Sequence, residues 1–132
     1  MKKKQIAASV SNAEVDVLQQ LWLQSPLSAQ DIIERLAERQ PDVQPTTVKT
    51  LISRLLKKEA LSFIEQHRKY YYSPVISRDE FYRQRTTSFV DRFFDGELTP
   101  LVSYYCRQKP LDDKDLAELK ALIEQMEAGK DE

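Results

Sequence analysis

The spacing of apolar residues changes twice along this chain, and that order of periods is its most constraining feature. From Val15 to Leu56 the apolar residues recur every three or four positions, as on one side of a helix. From Leu61 the stretch "LSFIEQHRKYYYSPV" runs near an alternating register, which is the period of a strand, and Pro74 ends it. Helical spacing then returns. A chain of this kind folds as helices, then a short β segment, then helices.

Local signals place the elements. "SNAE", Ser11 to Glu14, is a capping box, with Val10 and Val15 flanking it as a staple. Val15, Leu18, Leu21 and Trp22 form the stripe of the helix that follows. In "SPLSAQDIIERLAER", Ser28 caps, Asp31 sits three residues on, and Ile32, Ile33 and Leu36 face inward. "VQPTTV" opens a third helix with Pro45 at its first position and Gln44, a poor capping residue, before it. The alternating stretch predicts a hairpin turning around Gln66 to Arg68, without a glycine. Further on, Phe89, Val90, Phe93, Phe94, Leu98, Leu101, Val102 and Tyr105 form a long stripe, interrupted at "DGELTP" by Gly96 and Pro100. A last helix is capped by Asp112 and carries Leu116, Leu119, Ile123 and Met126 on one face. The expected order is three helices, a hairpin, then two or three helices.

Three short helices before a two-stranded hairpin is the element order of a winged helix-turn-helix. The expected fold is mainly α with a small β-hairpin wing, followed by a C-terminal helical dimerisation domain. Residues 1–76 are the winged-helix domain and 77–132 the dimerisation domain.

Charge separates the same two halves. Residues 1–75 hold 11 Lys and Arg against 8 Asp and Glu; residues 76–132 hold 9 against 13. The third helix explains the basic half. Opposite the apolar stripe of Val48, Leu51, Ile52 and Leu55 lie Thr46, Thr50, Ser53 and Lys57, flanked by Thr47, Lys49 and Arg54. Nothing acidic appears before Glu59. A carboxylate on that face would meet duplex phosphates spaced at one charge per ~1.7 Å of axis. Small hydroxyls let a backbone come close and bond to base edges or phosphates. Arg68 and Lys69 sit near the hairpin tip, as on a wing. A solvated cationic helix face is the plainer reading, but helix order, hydroxyls and basic wing together favour nucleic acid.

With one Cys, one His and two Gly, no catalytic triad, metal cluster or phosphate-cradling loop can be nominated. The chain is therefore not expected to be an enzyme, to hold a metal or to need a cofactor. His67 reads as an exposed turn residue, and Cys106 as a part-buried apolar residue near a dimer seam, with a redox switch as the alternative. Tyr70, Tyr71 and Tyr72 read as wing packing, with two facing one side and one the other. The apolar run near the start is too short for a secretory signal, and none approaches the ~18 residues of a membrane span. A cytoplasmic protein without membrane insertion is expected.

"SNAEVDVLQQLW", "PTTVKTLISRLLKKEAL", "RKYYYSPVIS" and "FFDGELTPLVSYY" together resemble the penicillinase repressor family (BlaI/MecI), of which CopY is a relative. The resemblance runs from about Val10 to about Met126. It implies a homodimeric transcriptional repressor on a palindromic operator with TGTA/TACA half-sites, controlling β-lactamase or other resistance genes. Family DNA-contacting positions match Thr46, Thr47, Lys49, Thr50 and Arg54, and the C-terminal helices would carry the dimer through Phe89, Phe93, Phe94, Leu98, Leu101, Val102, Tyr105, Leu119 and Ile123. A winged-helix protein-assembly module without operator specificity is the alternative.

Three departures qualify the resemblance. Glu59-Ala60 stands where the family usually has a glycine that caps the helix, so the helix end is expected to differ. "EQMEAGKDE" replaces the cysteine-rich end of CopY-type members. In the resembling family, a membrane sensor protease system leads to repressor cleavage in the dimerisation domain. The corresponding bond here joins Tyr104 to Tyr105, where the family carries Asn-Phe. The expectation is a buried helical bond that the usual β-lactam sensor pathway does not cut.

Overall fold

The computed structural model describes residues 2–130, with side chains from Ile6 onward. Four helices come first: α1 (Lys2–Ser9), α2 (Asn12–Leu23), α3 (Ala29–Arg39) and α4 (Pro45–Lys57). A two-residue strand, β1 (Leu27–Ser28), lies between α2 and α3. The hairpin strands β2 (Leu61–Gln66) and β3 (Lys69–Pro74) follow. Three helices close the chain: α5 (Arg78–Phe94), α6 (Leu98–Gln108) and α7 (Asp113–Lys130). The sheet is antiparallel in the order β1-β3-β2. Among the described residues no helix is long and apolar enough to cross a membrane.

Both capping boxes form. The Ser11 hydroxyl accepts from the Glu14 amide at 3.2 Å, and Glu14 Oε1 accepts from the Ser11 amide at 2.9 Å. Ser28 and Asp31 repeat the exchange at 3.1 Å in each direction. Asp112 Oδ1 accepts from the Asp115 amide at 2.8 Å at the start of α7. The core gathers Val17, Leu18, Leu21, Ile32, Leu36, Val48, Ile52, Leu55 and Phe81, all nearly inaccessible.

Two elements go beyond the sequence expectation. α1 forms because Ile6, Ala7 and Val10 bury themselves and because distant cations take its last carbonyls. Lys58 Nζ donates to Ser9 O at 2.7 Å, and Arg85 Nη1 donates to Ala7 O at 3.2 Å and Val10 O at 2.9 Å. β1 forms because the extended N-cap residue Ser28 pairs with Tyr71 of the wing, and Leu27 with Tyr72. The sheet therefore has three strands, not two.

The end of α4 also corrects an expectation. Glu59 takes φ +61°, the left-handed conformation that a capping glycine would supply. The Ala60 amide donates to Leu55 O at 2.9 Å and the Glu59 amide to Leu56 O at 3.0 Å. That is the Schellman pattern. The helix end is the ordinary one, built without glycine. The hairpin turn works the same way: His67 and Arg68 have φ +52° and +67°, as a two-residue turn of the I′ kind requires. Pro100 does not break α6 but lies in its first turn, where a proline's missing N–H is no loss.

The chain divides into two compact units, one through Ser88 and one from Phe89. The sheet ends near the expected boundary at 76/77. The first unit runs further because Phe81 is buried in its core and Arg85 ties α5 to the α1–α2 joint.

Candidate nucleic-acid interface

α3, the turn at 40–44 and α4 form the helix-turn-helix. The turn is set by local bonds: the Gln40 amide donates to Leu36 O at 2.7 Å and the Val43 amide to Gln40 O at 3.0 Å. Val43 packs against the core. α4 starts at Pro45 with no side-chain cap from Gln44. Its 13 residues span ~20 Å, and they include no carboxylate.

Burial of Val48, Leu51, Ile52 and Leu55 fixes which side of α4 faces out. Thr46, Thr47, Lys49, Thr50, Ser53, Arg54 and Lys57 are all exposed on that helix. The Thr50 hydroxyl donates to Thr46 O at 3.0 Å. That bond orients the hydroxyl oxygen and leaves it able to accept. Among the described residues, none of Lys49, Arg54, Lys57, Arg68 or Lys69 has a carboxylate within ion-pair distance.

Arg68 and Lys69 stand exposed at the hairpin tip beside His67. The wing is stiffened on one face by Phe63, whose ring lies 4.7 Å from that of Tyr70 and 6.4 Å from that of Tyr72. Tyr72 is buried in the core, while Tyr71, opposite Ile64 and Ser28, is half-buried. The two-against-one alternation of the tyrosines holds.

Lys58 stands apart from the other cations. Its Nζ lies 2.6 Å from Glu14 Oε1, and the Glu14 side chain is only 1% exposed. Burial pushes the Glu14 carboxyl up, but the hydrogen bonds from Lys58 and the Ser11 amide, with the charges of Lys58 and Arg54, outweigh it and hold the group below its ordinary value. Lys58 thus clamps the end of α4 to the start of α2. Sequence reasoning missed the role of Glu14, because a carboxylate in a capping box is ordinarily solvated.

The second unit has a different character. No residue of α6 or α7 is buried within the single chain. Phe89, Phe93, Leu98, Val102, Tyr105, Leu119 and Ile123 are exposed, Phe93 by 63%, while Phe94 and Leu101 are half-buried. The rings of Phe89 and Phe93 meet at 4.9 Å, and those of Phe94 and Tyr104 at 6.0 Å. Leu116, Leu122 and Met126 extend the exposed apolar surface along α7. Cys106 is a half-buried free thiol. The Tyr104–Tyr105 bond lies inside α6, but the expectation that it is buried is not met within one chain: the two side chains are 62% and 59% exposed.

Comparison with known proteins agrees with this geometry. The family model described as "Penicillinase repressor" matches residues 10–125. The penicillinase repressor of Bacillus licheniformis is 28% identical over 123 residues, covering 93% of this chain and 95% of that one. The methicillin resistance regulatory protein MecI of Staphylococcus aureus is 25% identical over 114 residues, covering 86% and 92%. Among solved structures, that of the DNA-binding domain of the repressor BlaI is 29% identical with a TM-score of 0.50, and the match covers 55% of this chain and 87% of that domain. The chain belongs to the penicillinase repressor family.

Proposed function

We propose that this protein is a transcriptional repressor that binds a palindromic DNA operator as a homodimer. The outer face of α4 supports this reading: it carries seven exposed hydroxyl and cationic side chains and no carboxylate, and among the described residues no ion pair quenches its cations. With α4 in the major groove, Thr46, Thr47, Thr50 and Ser53 reach base edges, while Lys49, Arg54 and Lys57 meet the phosphate walls. Arg68 and Lys69 contact backbone from the wing.

The second unit supplies the dimer. Phe89, Phe93, Phe94, Leu98, Leu101, Val102, Tyr105, Leu119 and Ile123 form an apolar surface that a single chain leaves largely open. Surfaces of this kind favour association, most commonly about a two-fold axis. A two-fold protein requires a two-fold operator. The chemistry is recognition and occlusion, not catalysis, as befits a repressor family.

The test is a salt titration of the full chain on duplex DNA, with light scattering on the free protein. Each phosphate contact adds roughly −0.9 to the slope of log affinity against log salt. A steep slope and a dimer support the reading. A flat slope favours a protein-assembly module.

A further inference from the structure

A cleft of about 350 Å³ opens between α2, the last turn of α3 and the first turns of α5, walled by Gln19, Trp22, Leu23, Arg39, Arg78 and Tyr82. None of these residues lies on α4 or the wing, so the cleft is separate from the proposed DNA face. Such a volume lies within the ~300–1,000 Å³ of small-molecule sites.

Its aromatic side is held rigidly. Trp22 Nε1 donates to Ile76 O at 3.0 Å, and the indole lies 5.2 Å from the Phe81 ring and 5.7 Å from the Tyr82 ring. The one polar atom of the indole is thereby used up, and what remains for the cleft is aromatic carbon. Leu23 adds an apolar rim that the core does not absorb, being 72% exposed.

Its polar side carries two guanidiniums, those of Arg39 and Arg78. Among the described residues neither Arg39 nor Arg78 has a carboxylate within ion-pair distance. Asp79 and Glu80, next to Arg78, are held by Arg83 at 3.3 Å and 2.8 Å. Asp16 lines the adjoining smaller cleft with Arg39, and its carboxylate accepts from Gln40 Nε2 at 2.9 Å. Arg78 lies 4.9 Å over the Tyr82 ring. Tyr82 Oη accepts from Gln19 Nε2 at 3.4 Å, which leaves the phenol proton to donate elsewhere.

We propose that this cleft binds a small aromatic carboxylate, its ring against Trp22 and Leu23 and its carboxylate held by Arg39 and Arg78, with the Tyr82 hydroxyl as a third donor. A carboxylate matches the planar fork of a guanidinium, and the ring uses the apolar wall that an inorganic anion would leave wet. The bound molecule would tie the end of α3, next to the turn into α4, to the start of α5.

Trp22 is the only tryptophan of the chain, so its fluorescence reports on the cleft directly. The probe is benzoate titrated into the full chain, with acetate, inorganic phosphate and benzyl alcohol as partial mimics. Benzoate is expected to give a saturable change and to raise the melting temperature with concentration. Each mimic should bind on the order of tenfold more weakly, and Arg39→Gln and Arg78→Gln should each cost on the order of tenfold in benzoate affinity. No saturable change with benzoate, equal binding of benzyl alcohol, or unaltered affinity in both arginine variants would overturn the proposal. Should Arg78→Gln unfold in a thermal melt, Arg39→Gln, on the exposed end of α3, decides the matter by itself.

Discussion

Replacing Lys58 by Met keeps the aliphatic stem and removes the charge that neutralises Glu14. The Glu14 side chain is 1% exposed and its Oε1 lies 2.6 Å from Lys58 Nζ, while the Lys58 side chain is 30% exposed. Breaking a fully buried pair by removing one partner costs about 3–5 kcal/mol. The partial exposure of Lys58 admits water, and the Ser11 amide still serves the carboxylate, so about 2–3 kcal/mol is the figure for this site. The sign of the pH dependence is the sharper test. In the unaltered chain Glu14 is held below its ordinary value, so its contribution is present above the unfolded pKa of about 4.5 and is lost as pH falls through the lower folded value. Without Lys58, burial, the largest single influence on the group, is opposed only by the Ser11 amide and the charge of Arg54, and the folded value is expected to rise. The carboxylate then opposes folding at neutral pH, and protonation relieves the penalty in acid. Urea unfolding followed by circular dichroism should show a large loss at pH ~7 that shrinks toward pH ~4. Pairing the change with Glu14→Gln should recover part of the loss at neutral pH. A loss independent of pH, and undiminished in the double variant, would show that Lys58 does not neutralise a buried Glu14 carboxylate.

At position 59, Glu59→Gly and Glu59→Ala both remove the carboxylate, yet the glycine variant should be the more stable by about 1 kcal/mol in urea unfolding, because only glycine takes a left-handed φ without cost. Phe93→Asp or Leu101→Asp should give monomers by light scattering with weakened DNA binding; an unchanged dimer would place the interface elsewhere. Co-expression with a β-lactam sensor protease of the family's kind and addition of β-lactam should leave the chain whole, since a pocket shaped for a short amide side chain accepts Tyr104 poorly. Fragments meeting at Tyr104–Tyr105 in a mass spectrum would contradict that.

Much of the fold was legible because its signals are local. Capping boxes at Ser11 and Ser28, Pro45 and the shift to alternation at Leu61 each act within a few residues, and each marks the element it should. What escaped was long-range. α1 depends on Lys58 and Arg85, which lie far along the chain, and β1 depends on Tyr71 and Tyr72. At Glu59 the rule that a left-handed cap wants glycine misled, because a full set of backbone bonds, core packing at Ala60 and the following strand overrode one residue's preference. The outward face of α4 followed from its period alone. That Lys58 turns inward did not, since nothing in the sequence tells a surface lysine from one that meets a buried carboxylate. The cleft beside Trp22 was equally hidden, being assembled from three separate helices.

Specific operator binding by the α4 face can be measured directly. Duplexes selected from a random-sequence pool by the full chain should converge on an inverted repeat. On the selected duplex, Arg54→Ala should weaken binding to specific and random DNA alike and flatten the salt slope, whereas Thr50→Val should reduce discrimination by about 1–3 kcal/mol at most and leave the slope unchanged. No convergence in the selected pool, or equal effects of the two substitutions on specific and random DNA, would show that the α4 face does not read an operator.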